Sequence, residues 1–178
     1  PAGYETALFG KWHLGYHARF NPTLHGFDRF RGFVSGNIDS ISHYDRMNAY
    51  DWWDCTEHVV EPGSLTHLIT DHAVDFIDEH ADEPFCLYVA HGAPHTPIQA
   101  PDSPAGRGPD RGPKDGRQQA VLVREMMRAL DDGVGAVLDA VVRNGIASLT
   151  FVIFLSDTGG AAHMRNTPLR GGKGGVFE

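Results

Sequence analysis

Five charged or titratable side chains follow apolar runs of this sequence, and together they could bind a compact oxyanion. Lys11 and His13 follow the first run, His95 a second, and Asp157 and Lys173 a third. In an open α/β sheet, ligands bind at the carboxyl ends of the strands. Two lysines and two histidines around one carboxylate suit sulfate or phosphate. The cations would neutralise nonbridging oxygens, a histidine would protonate the leaving oxygen, and Asp157 would hold a hard divalent ion.

Asp157 is the first candidate because of the segment before it. Residues 149–155, LTFVIFL, are apolar and rich in β-branched and aromatic types, which predicts a strand buried on both faces of a parallel sheet. A plain turn is the alternative, since such strands often end in Asp and Gly. Lys173 lies among four glycines, which let the backbone approach a ligand and leave the ammonium free to reach an anion.

Lys11 and His13 follow residues 4–12, which predict a short strand. The two residues are two positions apart, so an extended backbone would direct both side chains to the same side. The alternative interpretation is a surface lysine beside a half-buried histidine.

His95 follows a second predicted buried strand, PFCLYVAHG, which begins at Pro84. Two prolines stiffen the turn that holds it, which would fix His95 or merely reverse the chain. Residues 19–54 are loop-like and aromatic, and Ser35 in this stretch is a weak candidate for a polar contact in the pocket.

Two amphipathic patterns predict the helices. Residues 64–80 have Ser64 as the predicted N-cap; their apolar face comprises Leu65, Leu68, Ile69, Ala73, Phe76 and Ile77. Residues 118–143 repeat apolar residues at three and four spacing and stop at Asn144-Gly145; the face comprises Val123, Met127, Leu130, Val134, Val137, Leu138 and Val141. The Pro/Gly-rich composition of residues 101–117 predicts a mobile loop. We therefore expect a three-layer α/β fold, with a mostly parallel central sheet and helices on both faces, in one partial domain over residues 1–178.

Composition narrows the class of partner. The 178 residues suit one domain, and the net charge of −8 argues against nucleic acid or an anionic membrane as partner. The sequence contains no run of 18 apolar residues, the pattern that would predict a membrane span. Cys55 and Cys86 form neither a disulfide framework nor a zinc-binding spacing.

Six motifs, taken in order, resemble the sulfatase family of the alkaline phosphatase-like superfamily. They are GYETALFGKWHLG, HGFDRFRGFVSGNID, APHTP, MMRALDDGVGAVLDAV, FLSDTGG and NTPLRGGKGG. Each motif is weak alone, whereas the ordered set is strong and runs essentially from residue 1 to residue 178. The resemblance implies hydrolysis of a sulfate ester of a small molecule or a carbohydrate, and a periplasmic or secreted location.

The resemblance also implies roles for the candidate residues. Lys11 and His13 would contact the sulfate and the nucleophile, His95 and Lys173 would bind the sulfate or protonate the leaving group, and Asp157 would ligate Ca²⁺. Family members attack with a formylglycine, which is made from Cys or Ser in a C/S-x-P/A-x-R motif.

Two departures from the family pattern bear on activity. Neither Cys55 nor Cys86 stands in the formylglycine motif, so we expect this motif upstream of Pro1 and no turnover by the 178-residue chain alone. Thr158 occupies the place of a calcium-binding Asn. Its shorter side chain predicts weaker metal binding. Glu178 falls where the family continues, which indicates an internal fragment.

Two alternatives stay open at this point. A phosphoesterase or phosphonate hydrolase of the same superfamily would also bind a tetrahedral oxyanion. A noncatalytic anion-binding remnant would explain the missing nucleophile and Thr158.

Overall fold

The computed structural model describes residues 2–106, 113, 115–161 and 164–175. The chain divides into two compact units, residues 1–148 and 149–178. Within the described part of the first unit, the regular elements are β1 (Glu5–Lys11), β2 (Arg29–Phe33), β3 (Trp53–Asp54), β4 (Glu57–His58), α1 (Leu65–Glu79), β5 (Phe85–Ala90) and α2 (Gly116–Arg143). Short 3-10 turns span Ala18–Phe20, Pro22–Leu24 and Ala147–Leu149. No helix in these ranges is both long enough and apolar enough to span a bilayer.

The five strands form one sheet in the order β4-β3-β2-β1-β5. The longer strands β2, β1 and β5 are parallel neighbours, whereas β3 and β4 pair antiparallel at one side. This mixed sheet with its helices confirms the predicted α/β class. Because β2, β1 and β5 run in one direction, their carboxyl ends lie at the same edge of the sheet.

Strand β1 alternates between two clusters of apolar side chains. Ala7 and Phe9 pack with α1 in the main core, while Leu8 packs with Phe30 and Val34. This alternation is the period of two that a strand imposes on its side chains. Helix α2 joins the first of these faces, since Val137 packs against the main core. The described part of the chain therefore has both α-helices on one face of the sheet.

Helix α1 confirms the prediction from periodicity. Its buried side includes the whole predicted apolar face, Leu65, Leu68, Ile69, Ala73, Phe76 and Ile77. Ser64 occupies the N-cap with an extended backbone, although its hydroxyl makes no capping hydrogen bond.

Helix α2 ends as predicted but buries a partly different set of residues. Gly145 has φ 72°, and Ile146 N–H donates to the Val141 carbonyl at 3.2 Å, which is the pattern of a Gly-terminated helix. The buried residues are Met126, Ala129, Gly133, Ala140 and Val141, while Met127 and Leu138 of the predicted face are exposed. Small residues let α1 and α2 approach closely, so side-chain size decided this face more than hydrophobicity did.

The loop-like prediction for residues 19–54 was wrong over β2. Phe30 and Phe33 are each 1% exposed in this strand, and Arg31 pairs with Asp54 of β3 at 3.0 Å. Parallel pairing with β1 satisfies the β2 backbone, which local propensity does not reveal.

The strand predicted over residues 149–155 is not found. Within the described ranges no strand includes these residues, and Phe151, Ile153 and Phe154 are 88%, 68% and 76% exposed. A strand needs a paired neighbour, and apolar composition does not supply one. Strand β5 was also predicted to be buried, yet Tyr88 is 55% exposed. Phe85, Leu87 and Val89 pack against the main core, so the Tyr88 side chain points to the opposite face of the sheet. Much of the predicted loop 101–117 lies outside the described residues.

The contact between the two helices gives the first prediction. A methyl group on Gly133 would lie 2.4 Å from Thr70 Oγ1, whereas a methyl group on Gly135 meets nothing within 4 Å. Helix propensity alone favours Ala over Gly by up to about 1 kcal/mol. We expect Gly135→Ala to raise the free energy of unfolding by about that amount. Gly133→Ala should show no such increase in the free energy of unfolding, or should lower it. Chemical denaturation measures both variants, and an equal increase at the two positions would contradict the packing argument.

Candidate active site

A row of small residues crosses the sheet just before its carboxyl edge. Gly10 is in register with Gly32 on one side and Ala90 on the other. A Cβ on Gly10, which has φ +113°, would lie 2.0 Å from the Ala90 carbonyl oxygen, and one on Gly32 would lie 2.0 Å from the Gly10 carbonyl oxygen. Only glycine fits such a close backbone approach. The row lies one residue before Lys11, which is the last residue of β1.

The backbone turns sharply after Lys11. Trp12 N–H donates to the Phe33 carbonyl at 2.9 Å, and the Trp12 indole N–H donates to the Phe20 carbonyl at 2.6 Å. His13 has φ 52°, in the left-handed region that non-glycine residues rarely adopt. The extended backbone assumed for Lys11 and His13 is therefore wrong at His13, so strand alternation does not determine the direction of this imidazole.

The His13 imidazole lies over the turn that follows β2. A Cβ added to Gly36 would be 2.6 Å from His13 Nε2 and 2.9 Å from Cε1. The loops after β1 and β2 are thus in contact at this edge of the sheet.

Ser35, the weak candidate for a pocket contact, is buried beneath this turn. It is 2% exposed. Its backbone N–H donates to Asp51 Oδ2 at 2.9 Å, and its hydroxyl donates to the Asn37 carbonyl at 3.2 Å. Ser35 therefore acts in holding the loop after β2.

His95 lies in the loop after β5, at the same edge of the sheet. Its backbone N–H donates to the Gly92 carbonyl at 2.9 Å, and its Nδ1 is 2.8 Å from the Thr96 carbonyl oxygen. A carbonyl only accepts, so Nδ1 carries a proton and, in neutral His95, Nε2 does not. Asn37 Nδ2 also donates to the Thr96 carbonyl at 2.8 Å, which ties the loops after β2 and β5 together.

His91 is a residue whose role the sequence did not suggest. It directly follows β5, and both ring nitrogens are buried with no hydrogen-bond partner among the described residues. Burial lowers the pKa of His91 to about 4, because a charged imidazolium loses its hydration in an apolar setting. His91 is therefore neutral near pH 7.

Asp157, Thr158 and Lys173 belong to the second unit. Lys173 N–H donates to the Gly160 carbonyl at 3.1 Å, and Asn166 bridges to both the N–H and the carbonyl of Gly160. These bonds bring the chain that follows Asp157 beside the glycine-rich segment around Lys173. The meeting of Asp157 and Lys173 with Lys11 and His95 stays a prediction.

The chemistry of Asp157 and Thr158 fits part of a calcium site. Ca²⁺ takes about six to eight oxygen ligands, and these two side chains offer a carboxylate and a hydroxyl. Thr158 Oγ1 donates to the Gly159 carbonyl at 3.2 Å, which leaves its oxygen lone pairs able to accept. No cluster of three or more His, Cys, Asp or Glu residues suited to a metal occurs in the ranges that the structure describes.

One stretch of the chain does fit the formylglycine pattern. Residues 103–107 read SPAGR, so the expectation based on the two cysteines overlooked Ser103. The stretch follows His95 in the sequence, whereas the resemblance places the motif before Lys11. Gly106 N–H donates to Asp39 Oδ2 at 2.8 Å, and Arg107 lies outside the described residues.

The family model of Sulfatase matches residues 1–176, so this chain belongs to the sulfatase family. It is 33% identical over 189 residues to N-acetylgalactosamine-6-sulfatase of Mus musculus, in an alignment that covers 99% of this chain and 34% of that protein. Arylsulfatase J of Mus musculus is 32% identical, over 99% of this chain and 31% of that protein. The chain thus spans about a third of the length of these relatives.

Solved structures show the same fold. The crystal structure of Ps i-CgsB in complex with k-i-k-neocarrahexaose matches with a TM-score of 0.80 and 30% sequence identity, over 97% of this chain and 42% of that chain. The PsFucS1 sulfatase from Pseudoalteromonas sp. matches with a TM-score of 0.69 at 24% identity, over 98% of this chain and 40% of that chain. The first match confirms the predicted alkaline phosphatase-like fold, and the second supports the fold alone.

The buried His91 predicts a pH dependence of stability. Its pKa falls from an ordinary 6.5 to about 4 on folding, so between these values the unfolded chain binds the additional proton. The free energy of unfolding therefore has its full value above about pH 6.5 and falls as the pH drops towards 4. His91 accounts for about 3 kcal/mol of this fall. His91→Phe should remove this component, measured as the free energy of unfolding at pH 7 and pH 4.5. An unchanged difference between the two pH values in the variant would contradict it.

Proposed function

We propose that the protein containing this chain is a sulfuric ester hydrolase that cleaves the sulfate ester of a small molecule or a carbohydrate. The observation that carries the proposal is the shared edge of three parallel strands. Lys11 ends β1, and the loops after β1 and β5 carry His13 and His95, in a chain of the sulfatase family. Three groups suited to an oxyanion thus come from neighbouring elements.

Lys11 would neutralise a nonbridging oxygen of the sulfate, where negative charge must be stabilised. His95 would act as the acid in its imidazolium form, giving the Nε2 proton to the leaving oxygen and returning to the neutral ring, while Nδ1–H stays hydrogen-bonded to the Thr96 carbonyl. That bond fixes the ring and holds the second proton in place. His13 would contact the sulfate and the nucleophile.

Lys173 would bind the sulfate, and Asp157 and Thr158 would be ligands of Ca²⁺. When bound, Ca²⁺ would supply positive charge that stabilises the sulfate oxygens and the nucleophile. The proposal puts the formylglycine nucleophile outside the 178 residues. The chain by itself would therefore bind the oxyanion without turning it over.

A carbohydrate sulfate is the favoured class of substrate. One similar protein is N-acetylgalactosamine-6-sulfatase, whose name gives a sulfated sugar. Another is Ps i-CgsB, whose structure contains bound k-i-k-neocarrahexaose. In this chain, Leu14 and Tyr16 follow His13 and are 68% and 59% exposed. In this proposal, the exposed ring of Tyr16, three positions after His13, offers a flat apolar surface for a sugar ring. A periplasmic or secreted location goes with this proposal.

Substitution of Lys11 or His95 tests the assigned roles in the complete protein, supplied with Ca²⁺ and the machinery that makes formylglycine. Loss of the cation or of the acid removes interactions with charge that develops in the transition state. We expect Lys11→Ala and His95→Ala each to lower kcat/KM for an aryl sulfate by about 100-fold or more.

The matched controls are Arg124→Ala and His67→Ala, which remove an exposed cation and an exposed imidazole from the two helices. Both should keep full activity and the wild-type melting temperature. Faster turnover of phosphate esters than of sulfate esters would instead support the phosphoesterase alternative. Sulfate binding without any turnover, measured by calorimetry, would support the noncatalytic alternative.

Ser103 allows a direct test of where the nucleophile lies. The proposal predicts that Ser103→Ala retains activity in the complete protein within about twofold, because the loop position is held by the backbone of Gly106 and needs no Ser103 hydroxyl. Mass spectrometry should find unmodified serine at position 103. A formylglycine at this position, together with loss of activity in the variant, would move the nucleophile into this chain.

A further inference from the structure

We propose that Gly36 is a positioning residue for His13. It contributes no side chain, and the space that a side chain would fill is occupied by the His13 imidazole. A Cβ at position 36 would lie 2.6 Å from His13 Nε2, 2.9 Å from Cε1 and 3.3 Å from Cδ2. Three ring atoms thus lie where a side chain at position 36 would begin. This inference rests on the proposed function only for its kinetic consequence.

The backbone under the ring is held firmly. Asp51 is 5% exposed and accepts hydrogen bonds from the N–H groups of Val34 and Ser35, at 3.0 and 2.9 Å. The same carboxylate accepts from the Trp53 indole at 2.6 Å. Gly36 therefore follows two residues whose backbones are hydrogen-bonded to Asp51, so its own backbone is held in place next to the imidazole.

The contact with Gly36 matters for His13 because the His13 backbone lies in the left-handed region of φ, which is strained for a non-glycine residue. With φ 52°, His13 is not part of the β1 ladder, whose last residue is Lys11. Contacts of the ring therefore contribute more to its orientation than the regular geometry of a strand would.

Gly36 differs from the glycines at the end of β1 and β2 in what its Cβ would meet. At Gly10 and Gly32 the obstacle is a backbone carbonyl oxygen at 2.0 Å, whereas at Gly36 it is the end of a side chain. The backbone of Gly36 also lies outside the left-handed range, so alanine can adopt it. Gly36→Ala should therefore fold, and the strain should be relieved by movement of the His13 ring.

The required movement is large enough to affect catalysis. Ordinary contact with a Cβ begins at 3.4 Å, so Nε2 at 2.6 Å must retreat by about 0.8 Å. A misplacement of about 1 Å in a catalytic group can cost about 100-fold in rate.

The kinetic test uses the complete protein. We expect Gly36→Ala to lower kcat for an aryl sulfate by about 100-fold with little change in KM, whereas Gly135→Ala, whose new methyl group meets nothing, should keep wild-type kinetics. In a His13→Ala background, Gly36→Ala should have no further effect, because the two substitutions act through one group. An equal loss in both backgrounds would overturn the inference.

A second measurement does not depend on activity. In protein labelled with ¹³C-histidine, the His13 ring resonance is assigned by its disappearance in His13→Ala. It should shift in Gly36→Ala and stay unchanged in Gly135→Ala. An unmoved resonance, or loss of the cooperative melting transition in Gly36→Ala, would overturn the role of Gly36. If the wild-type protein cleaves no sulfate ester while the resonance still shifts, the proposed function fails and the placement of His13 by Gly36 stands.

Discussion

The parallel pairing of β1 between β2 and β5 is the constraint on which the first unit depends. The pairing requires three backbones to come together at Gly10, Gly32 and Ala90, where no larger residue fits at the two glycines. Because the strands run in one direction, the loops after all three emerge at one edge. The residues with useful chemistry are those just past this row. The site is thus a consequence of strand direction and of residue size.

Buried carboxylates then hold the loops that surround this edge. Asp39 is 7% exposed and accepts hydrogen bonds from Ser42, Gln99 and Gly106. Burial alone would raise the pKa of Asp39, but the hydrogen bonds from Ser42, Gln99 and Ile41 outweigh it and hold the pKa below its ordinary value. Asp51 likewise accepts hydrogen bonds from the backbone N–H groups of Val34 and Ser35 in the loop after β2. An ionised group with several donors lets irregular backbone be buried without unsatisfied polar atoms.

The histidines show how one residue type serves different ends according to its surroundings. His95 has its tautomer set by a backbone carbonyl, and His13 has its ring placed against a glycine. Burial keeps His91 neutral. His72 is bonded at 2.9 Å to Glu61, far along the chain from the candidate site. The count of eleven histidines in the sequence therefore says less than their individual contacts.

Patterns of neighbouring residues in the sequence were sufficient to predict several helices and strands. Both α-helices, β1, β5 and the positions of Lys11 and His95 followed from periodicity, capping and turn residues. Strand β2 was missed because its backbone is satisfied by β1, some twenty residues earlier in the chain. The buried face of α2 was misread because small residues at Ala129 and Gly133, which look neutral by hydrophobicity, permit the close approach of α1.

The sequence by itself determined the family, the α/β class and the types of residue that could bind an oxyanion, because these depend on residue identity and order. Tertiary structure alone decided the direction of His13, the burial of Ser35 and His91, and the absence of a strand over residues 149–155 in the described part. Each of these depends on atoms that are distant in sequence. The His13 ring lies against Gly36, which belongs to the loop after a different strand. A strand forms only where a neighbouring strand pairs with it, and a side chain is buried only where other segments of the chain pack over it.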